Sequence, residues 1–186
     1  MQYGQISDQT REVIKQQLGR EPRGLLAVSK ICVYGFPQVI TNRPVFAELS
    51  QIEIFPTLYW LTCPYLCKEV ALLETAGYIA RFEDMIQEDP EFARQVEKNH
   101  RSYAQRRLTV IPDEVRRRIE EEYPERYKVL AESGVGGIRN LEGVKCLHCH
   151  LADQLVNKEN IIGEKVVELI SKPLFCAEGR CRAYIE

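Results

Sequence analysis

Residues 144–150 read VKCLHCH, so two thiols and two imidazoles, Cys146, Cys149, His148 and His150, crowd into the stretch 146–150. Thiolate and imidazole together are the donors that zinc prefers, and the same groups serve redox and nucleophilic chemistry. Cys32, Cys63, Cys67, Cys176 and Cys181 bring the cysteines to 7. The odd count argues against a full disulfide framework and directs attention to metal binding or reactive thiols. Burial as small hydrophobes accounts for a share of the seven.

If a regular helix begins at Cys146, a rotation of about 100° per residue puts Cys146, Cys149, His150 and Asp153 on one side. Leu147, Leu151 and Leu155 then fall on the other, with His148 beside them. In that register Cys146 and His150 are the best pair for one ion. His148 joins only if the chain is still loop up to that point, which Gly143 permits. Two complete sites can be assembled. One is local, Cys146-x2-Cys149 with Cys176-x4-Cys181, a loosened zinc ribbon whose second pair is wider than usual. The other is dispersed: Cys32, Cys63, Cys146 and one imidazole. The C-x-x-C at 146–149 also raises a thioredoxin-like dithiol, but the residues before Lys145 read as loop rather than as the strand such a motif follows.

The elements that must position these residues read as α+β. Ser7 caps a helix carrying Val13, Ile14 and Leu18, which stops at Gly19. Residues 25–32, 37–46 and 55–63 are rich in β-branched and aromatic residues between Gly and Pro signals, giving three strands. The VYGF connection predicts a hairpin. The expected fold is a small antiparallel three-stranded sheet (about 25–63) packed against an N-terminal helix and several C-terminal helices. Thr62 and Pro64 open a helix running to Gly77, and Asp89-Pro90 opens another, with Phe92, Val96, His100 and Tyr103 on one face. On that face His100 reads as a hydrogen-bonded, half-buried histidine. Residues 112–134 read as two helices broken at Pro124, with Arg116–Arg118 on a solvated face. The glycine-rich segment 134–143 is expected to be the most flexible. Helices follow at about 146–157 and 162–171, with Gly163 weakening the start of the second. One α+β domain over 1–171 and an irregular, cysteine-containing tail over 172–186 are expected.

The 186 residues include 25 basic and 27 acidic side chains, a formal net charge of -2, so no overall field advertises nucleic acid. The first residues lack the basic start and apolar run of a signal peptide, and no stretch reaches the length of a membrane span. A cytoplasmic protein with reduced thiols is expected, with no membrane partner. The aromatic FPTLYW reads as core rather than as a dimer interface.

Several motifs in order carry a resemblance: PRGLLAV, C-x-x-G-x-P at 32–37, FPTLYWLTCP at 55–64, DPE, H-x-x-Y-x-x-R at 100–106 and VKCLHCHLA at 144–152. Together they resemble the bacterial Domain of Unknown Function 501 family, over residues 8–165. The resemblance implies no activity. It does imply a choice of residues, because Cys32, Gly35, Pro37, Cys63, Pro64, Lys145, Cys146 and His148 stand on the family's motif positions and His150 fits a common version. Cys67, Cys149, Cys176 and Cys181 are less securely part of that pattern. The choice favours the dispersed site: Cys32, Cys63, Cys146 and a histidine, His148 or His150, around zinc, with an iron–sulfur cluster as the alternative.

Three functions follow. The first is a metal-stabilised domain with a structural, interaction or regulatory role, served by an unknown protein partner. The second is an enzyme in which a cysteine or metal-bound water attacks, His148 or His150 is the base, and Lys145, Arg23 or Arg106 clamps an oxyanion or phosphate. The third, less favoured, binds nucleic acid through HRSYAQRR, residues 100–107, with Arg101, Arg106 and Arg107 on the solvated side. Three protein ligands plus water would favour catalysis, and four would favour a structural role.

Overall fold

Ser7 accepts a hydrogen bond from the Thr10 amide and starts α1 (Asp8–Leu18), and Gly19 ends it at φ 68. The computed structural model describes residues 5–47 and 52–185. Val13 and Ile14 are the buried residues of α1.

β1 (Leu25–Ile31) and β2 (Pro37–Asn42) form an antiparallel hairpin, and β2 pairs on its other side with β5 (Tyr59–Leu61). The expected three-stranded antiparallel sheet therefore exists, in the order β1-β2-β5. Its hairpin turn closes through the Cys32 amide donating to Phe36 O at 2.8 Å, with Gly35 at φ 81 supplying the left-handed residue. The second expected strand, 37–46, is in fact two. Pro44 lacks the amide that a ladder needs, and beyond it β3 (Val45–Ala47) pairs with β4 (Ile52–Ile54) in a separate ribbon.

α2 (Pro64–Thr75) is capped by Cys63 rather than Thr62, and Thr62 Oγ1 is buried without a hydrogen-bond partner. Gly77 at φ 82 turns the chain into α3 (Tyr78–Glu88), a helix that periodicity over 64–77 does not announce. Asp89 then caps α4 (Pro90–Thr109) by accepting from the Glu91 and Phe92 amides. Phe92, Val96, His100 and Tyr103 are buried along α4, as their spacing requires. α5 (Asp113–Glu122) and α6 (Pro124–Glu132) meet at Pro124, and α7 (Leu147–Asn157) and α8 (Ile161–Ile170) follow. Eight α-helices and five strands make up the described residues, with short 3-10 helices at Val135–Gly137 and Arg180–Tyr184. No helix among the described residues is long and apolar enough to cross a membrane.

The main core gathers around α7: Leu147, Leu151 and Leu155 pack with Leu66, Val70, Val96, Tyr103, Ile162 and Val166. Each such side chain contributes about 1.5–3 kcal/mol when fully buried. A second cluster joins β3, β4, α5 and α6 through Val45, Ile52, Ile119 and Leu130.

Three sequence readings are corrected here. Within the segment 134–143, Gly134, Val135, Gly136 and Gly143 are buried, while Arg139, Asn140 and Glu142 are exposed. Val135 is 1% exposed and its amide donates to His100 Nδ1, while a Cβ at Gly134 would fall 2.3 Å from that nitrogen. Gly163 does not weaken α8 so much as let it touch α7, since a Cβ there would stand 2.4 Å from His150 O. Arg107 is not solvated. It is fully buried and donates to the carbonyls of Pro56, Leu130 and Ser133.

Candidate metal centre

The chain stays extended up to Cys146, at φ -164 and ψ 123, and helix α7 begins only at Leu147. Cys146 is therefore the N-cap residue, and the register that would pair it with His150 does not form. The late helix start instead swings His148, two residues on, toward the Cys146 thiol.

Cys146 Sγ lies 3.6 Å from His148 Nδ1, and that same nitrogen lies 3.2 Å from Glu74 Oε1. Glu74 comes from the last turn of α2 and also accepts from the Leu147 amide at 2.7 Å, so it caps α7 from a neighbouring helix. His148 Nε2 lies 3.2 Å from Cys67 O. With its Nε2 proton committed to that carbonyl, His148 directs Nδ1 at the point shared by Cys146 and Glu74. The three donor atoms all fall within 4.8 Å of one another, and all three residues are half-buried. They are the only such trio among the described residues.

The electrostatics match a site of opposite charges. The Cys149 thiol, and after it the His148 imidazole, hold the Cys146 thiol far below the ordinary thiol range, against burial, which pushes it up. Cys146 in turn holds His148 up at about 9, with Glu74 helping and burial opposing. Cys149 is pushed well above the ordinary thiol range by Cys146 and by its own burial. Burial pushes Cys67 up to about 12, and its thiol donates to Leu61 O at 3.5 Å. At neutral pH the centre is thus a Cys146 thiolate beside an imidazolium, with neutral thiols at Cys149 and Cys67.

Of the five sequence-predicted ligands, Cys146 and His148 come together, and Cys32, Cys63 and His150 lie elsewhere. His150 is 1% exposed. Its Nδ1 donates to Asn160 Oδ1 at 3.0 Å, and Asn160 Nδ2 donates to Asp153 Oδ2 at 2.8 Å. Asn160 also caps α8, accepting from Gly163 N, so this network joins α7 to α8. Burial, and after it the neighbouring His100, pushes His150 down to about 3. Burial likewise lowers His100 to about 4, and its rings pack edge to face with His150 at 5.6 Å. Both imidazoles are neutral at pH 7. Cys32 stands at the hairpin turn and Cys63 at the start of α2.

The proposed anion clamps each have a partner of their own. Lys145 Nζ donates to Gly136 O at 2.9 Å, Arg23 pairs with Glu53, and Arg106 pairs with Glu159. Glu74 is the residue that sequence reasoning missed. It sits 72 positions before Cys146, and only the packing of α2 on α7 brings it into the site.

The molecule is thus an α+β protein in which a small antiparallel sheet and a helical bundle carry a Cys–His–Glu cluster at a helix N-terminus. The chain belongs to the family described as protein of unknown function (DUF501), whose model matches residues 28–168. Comparison with curated proteins and with solved structures finds no match.

Proposed function

We propose that this is a metal-binding protein whose ion sits between Glu74 Oε1, Cys146 Sγ and His148 Nδ1. The observation that carries the reading is their spacing. Zinc bonds of about 2.3 Å to sulfur and about 2.0–2.1 Å to nitrogen or oxygen, at tetrahedral angles, separate sulfur from nitrogen by about 3.6 Å and nitrogen from oxygen by about 3.3 Å. The distances here are 3.6 and 3.2 Å. Mixed thiolate, imidazole and carboxylate donors suit zinc, and the Cys67 carbonyl holds the imidazole in the ligating orientation. Binding displaces the Nδ1 proton of His148, so occupancy rises with pH.

Three protein ligands leave a fourth position for water or for a group brought by a partner, the arrangement of a reactive or regulated site rather than a closed structural one. A cytoplasmic setting belongs to the same proposal, since it keeps the 7 free cysteines reduced. A second reading rests on a different observation: Cys146 caps a helix with Cys149 one turn inside it, the placement of a reactive dithiol. In that reading Cys146 is the attacking thiolate and Cys149 the thiol that resolves it.

The deciding experiment measures zinc in untagged protein purified anaerobically, for wild type and for Glu74→Gln, Cys146→Ser and His148→Gln. About one zinc per chain, lost in all three variants, is the expected result. Zinc that survives all three substitutions, or no zinc in wild type, overturns the proposal. In the zinc-free case, fast alkylation of Cys146 below pH 7 selects the dithiol.

A further inference from the structure

The C-terminal segment is tied to the hairpin turn by side chains from both. Gln38, on β2, donates through its side-chain amide to Leu174 O, and its own carbonyl accepts from Thr62 N at 2.9 Å and Cys63 N at 3.4 Å. Tyr34, in the turn, donates its hydroxyl to Ala177 O at 2.8 Å and packs its ring edgewise on Phe175. Gln17 Nε2 donates both to Pro37 O at 2.9 Å and to Cys181 Sγ at 3.4 Å. Gly179 turns the chain at φ 57 between Cys176 and Cys181, directly against the Tyr34 ring.

These ties bring four cysteines from four parts of the chain to one end of the sheet. Cys32 opens the turn, Cys63 caps α2, Cys176 lies between the Leu174 and Ala177 anchor points, and Cys181 lies in the last 3-10 helix. Cys63 is within electrostatic reach of Cys176 and Cys181, and Cys181 is within reach of Cys176 and Cys32. All four thiols are free, and Cys63 and Cys181 are buried. Arg180 lies close enough to Cys181 to offset negative charge there.

Four thiolates can serve either of two metal centres, which differ in spacing. Four thiolates on one zinc stand about 3.8 Å apart, from Zn–S bonds of about 2.3 Å at tetrahedral angles. Glu74, Cys146 and His148 are the only three donors among the described residues that meet within 4.8 Å, so no three of these thiols approach that closely. An iron–sulfur cube puts each thiolate on a different iron, and its four sulfur ligands accordingly stand farther apart than those of a single ion.

We propose that Cys32, Cys63, Cys176 and Cys181 ligate a four-iron, four-sulfide cluster that clamps the C-terminal segment onto the hairpin turn and the start of α2. The cluster arrives preformed on a cluster-carrier protein: each thiol gives up one proton as its sulfur bonds to one iron and the carrier's ligand on that iron leaves, so iron and sulfide keep their oxidation states. Its ligands include none of Glu74, Cys146 and His148. Two of its ligands, Cys176 and Cys181, lie beyond the stretch that matches the family.

The test is iron, acid-labile sulfide and zinc analysis together with the visible absorption spectrum, on anaerobically purified wild type, Cys32→Ser, Cys176→Ser and Cys146→Ser. About four iron and four sulfide per chain in wild type and in Cys146→Ser, with broad absorption near 400 nm, both lost in Cys32→Ser and Cys176→Ser, is the expected pattern. Wild type without iron overturns the proposal, and that result does not depend on any variant folding. Zinc retained by Cys146→Ser and lost in Cys176→Ser also overturns it, replacing the cluster by a mononuclear site. Iron lost only in Cys146→Ser overturns the assignment of ligands.

Discussion

Replacing Arg107 by methionine tests the buried polar framework that holds α4 to α6. The guanidinium is fully buried, and its donors reach Leu130 O at 2.6 and 2.8 Å, Pro56 O at 2.8 Å and Ser133 O. Leu130 and Ser133 belong to the last turn and C-cap of α6, where helix carbonyls have no partners of their own. Arg107 therefore caps α6 from outside, and its charge faces the negative end of that helix dipole. Burial lowers its pKa to about 10, so it remains charged at pH 7. Methionine keeps much of the side-chain volume and removes every donor. Two fully buried carbonyls each lose a partner at about 1–3 kcal/mol, and the part-buried Pro56 carbonyl adds less, for a total of about 4 kcal/mol. That is a large fraction of the 5–15 kcal/mol by which a typical domain is stable, to order of magnitude roughly a third. Urea unfolding followed by far-UV circular dichroism measures the change in midpoint at constant slope. A loss under about 1 kcal/mol would show that water or backbone shifts satisfy those carbonyls, and would refute the capping role.

Three further outcomes concern the Cys146–His148 pair and the contact of α7 with α8. In metal-free protein, Cys146 is a thiolate at neutral pH, so its alkylation by iodoacetamide should hold a plateau from about pH 8 to about pH 6, where a free thiol slows about tenfold per unit. A tenfold fall across that range contradicts the thiolate–imidazolium pair. The same pair sets a sign for stability. Cys146, with its proton affinity depressed on folding, contributes stability above the ordinary thiol range and loses it as pH falls. His148, raised to about 9, contributes below the ordinary imidazole range and loses its share as pH rises through about 9. Between about pH 6.5 and 8.5 the folded and unfolded pairs hold one proton each and add no slope, while acid below that range weakens the fold. Gly163→Ala places a methyl against His150 O and Gln154 Cβ, each 2.4 Å from the new atom, and should destabilise by about 2 kcal/mol in urea unfolding. An alanine variant as stable as wild type would mean that α7 and α8 separate freely.

Much of the fold was legible because local chemistry dictates it. Ser7, Gly19, Asp89 and Pro90 set helix ends through their own backbone and side-chain preferences, and the apolar stripe of α4 set its buried face. The hairpin at 32–36 and the break at Pro124 are likewise local. The failures share one cause. Gly134 and Gly163 read as flexible or helix-weakening from their intrinsic freedom, yet each is a point of close approach to another element. Arg107 read as solvated because arginine usually is, and only the carbonyls of α6 and Pro56 explain its burial.

The candidate centres divide in the same way. The residue types at 146–150, and therefore the chemistry open to them, are determined by sequence alone. Which imidazole belongs to the site depends on where α7 starts, and Leu147 becomes the first helical residue when Glu74 of α2 receives its amide. The proposed grouping of Cys32 and Cys63 with Cys176 and Cys181 rather than with Cys146 depends on Gln17, Tyr34 and Gln38 tying the tail to the hairpin. Spacing along a chain constrains donors within a turn or two of each other. Donors more than a hundred residues apart are brought together only by packing, so their partners were decided by the tertiary structure.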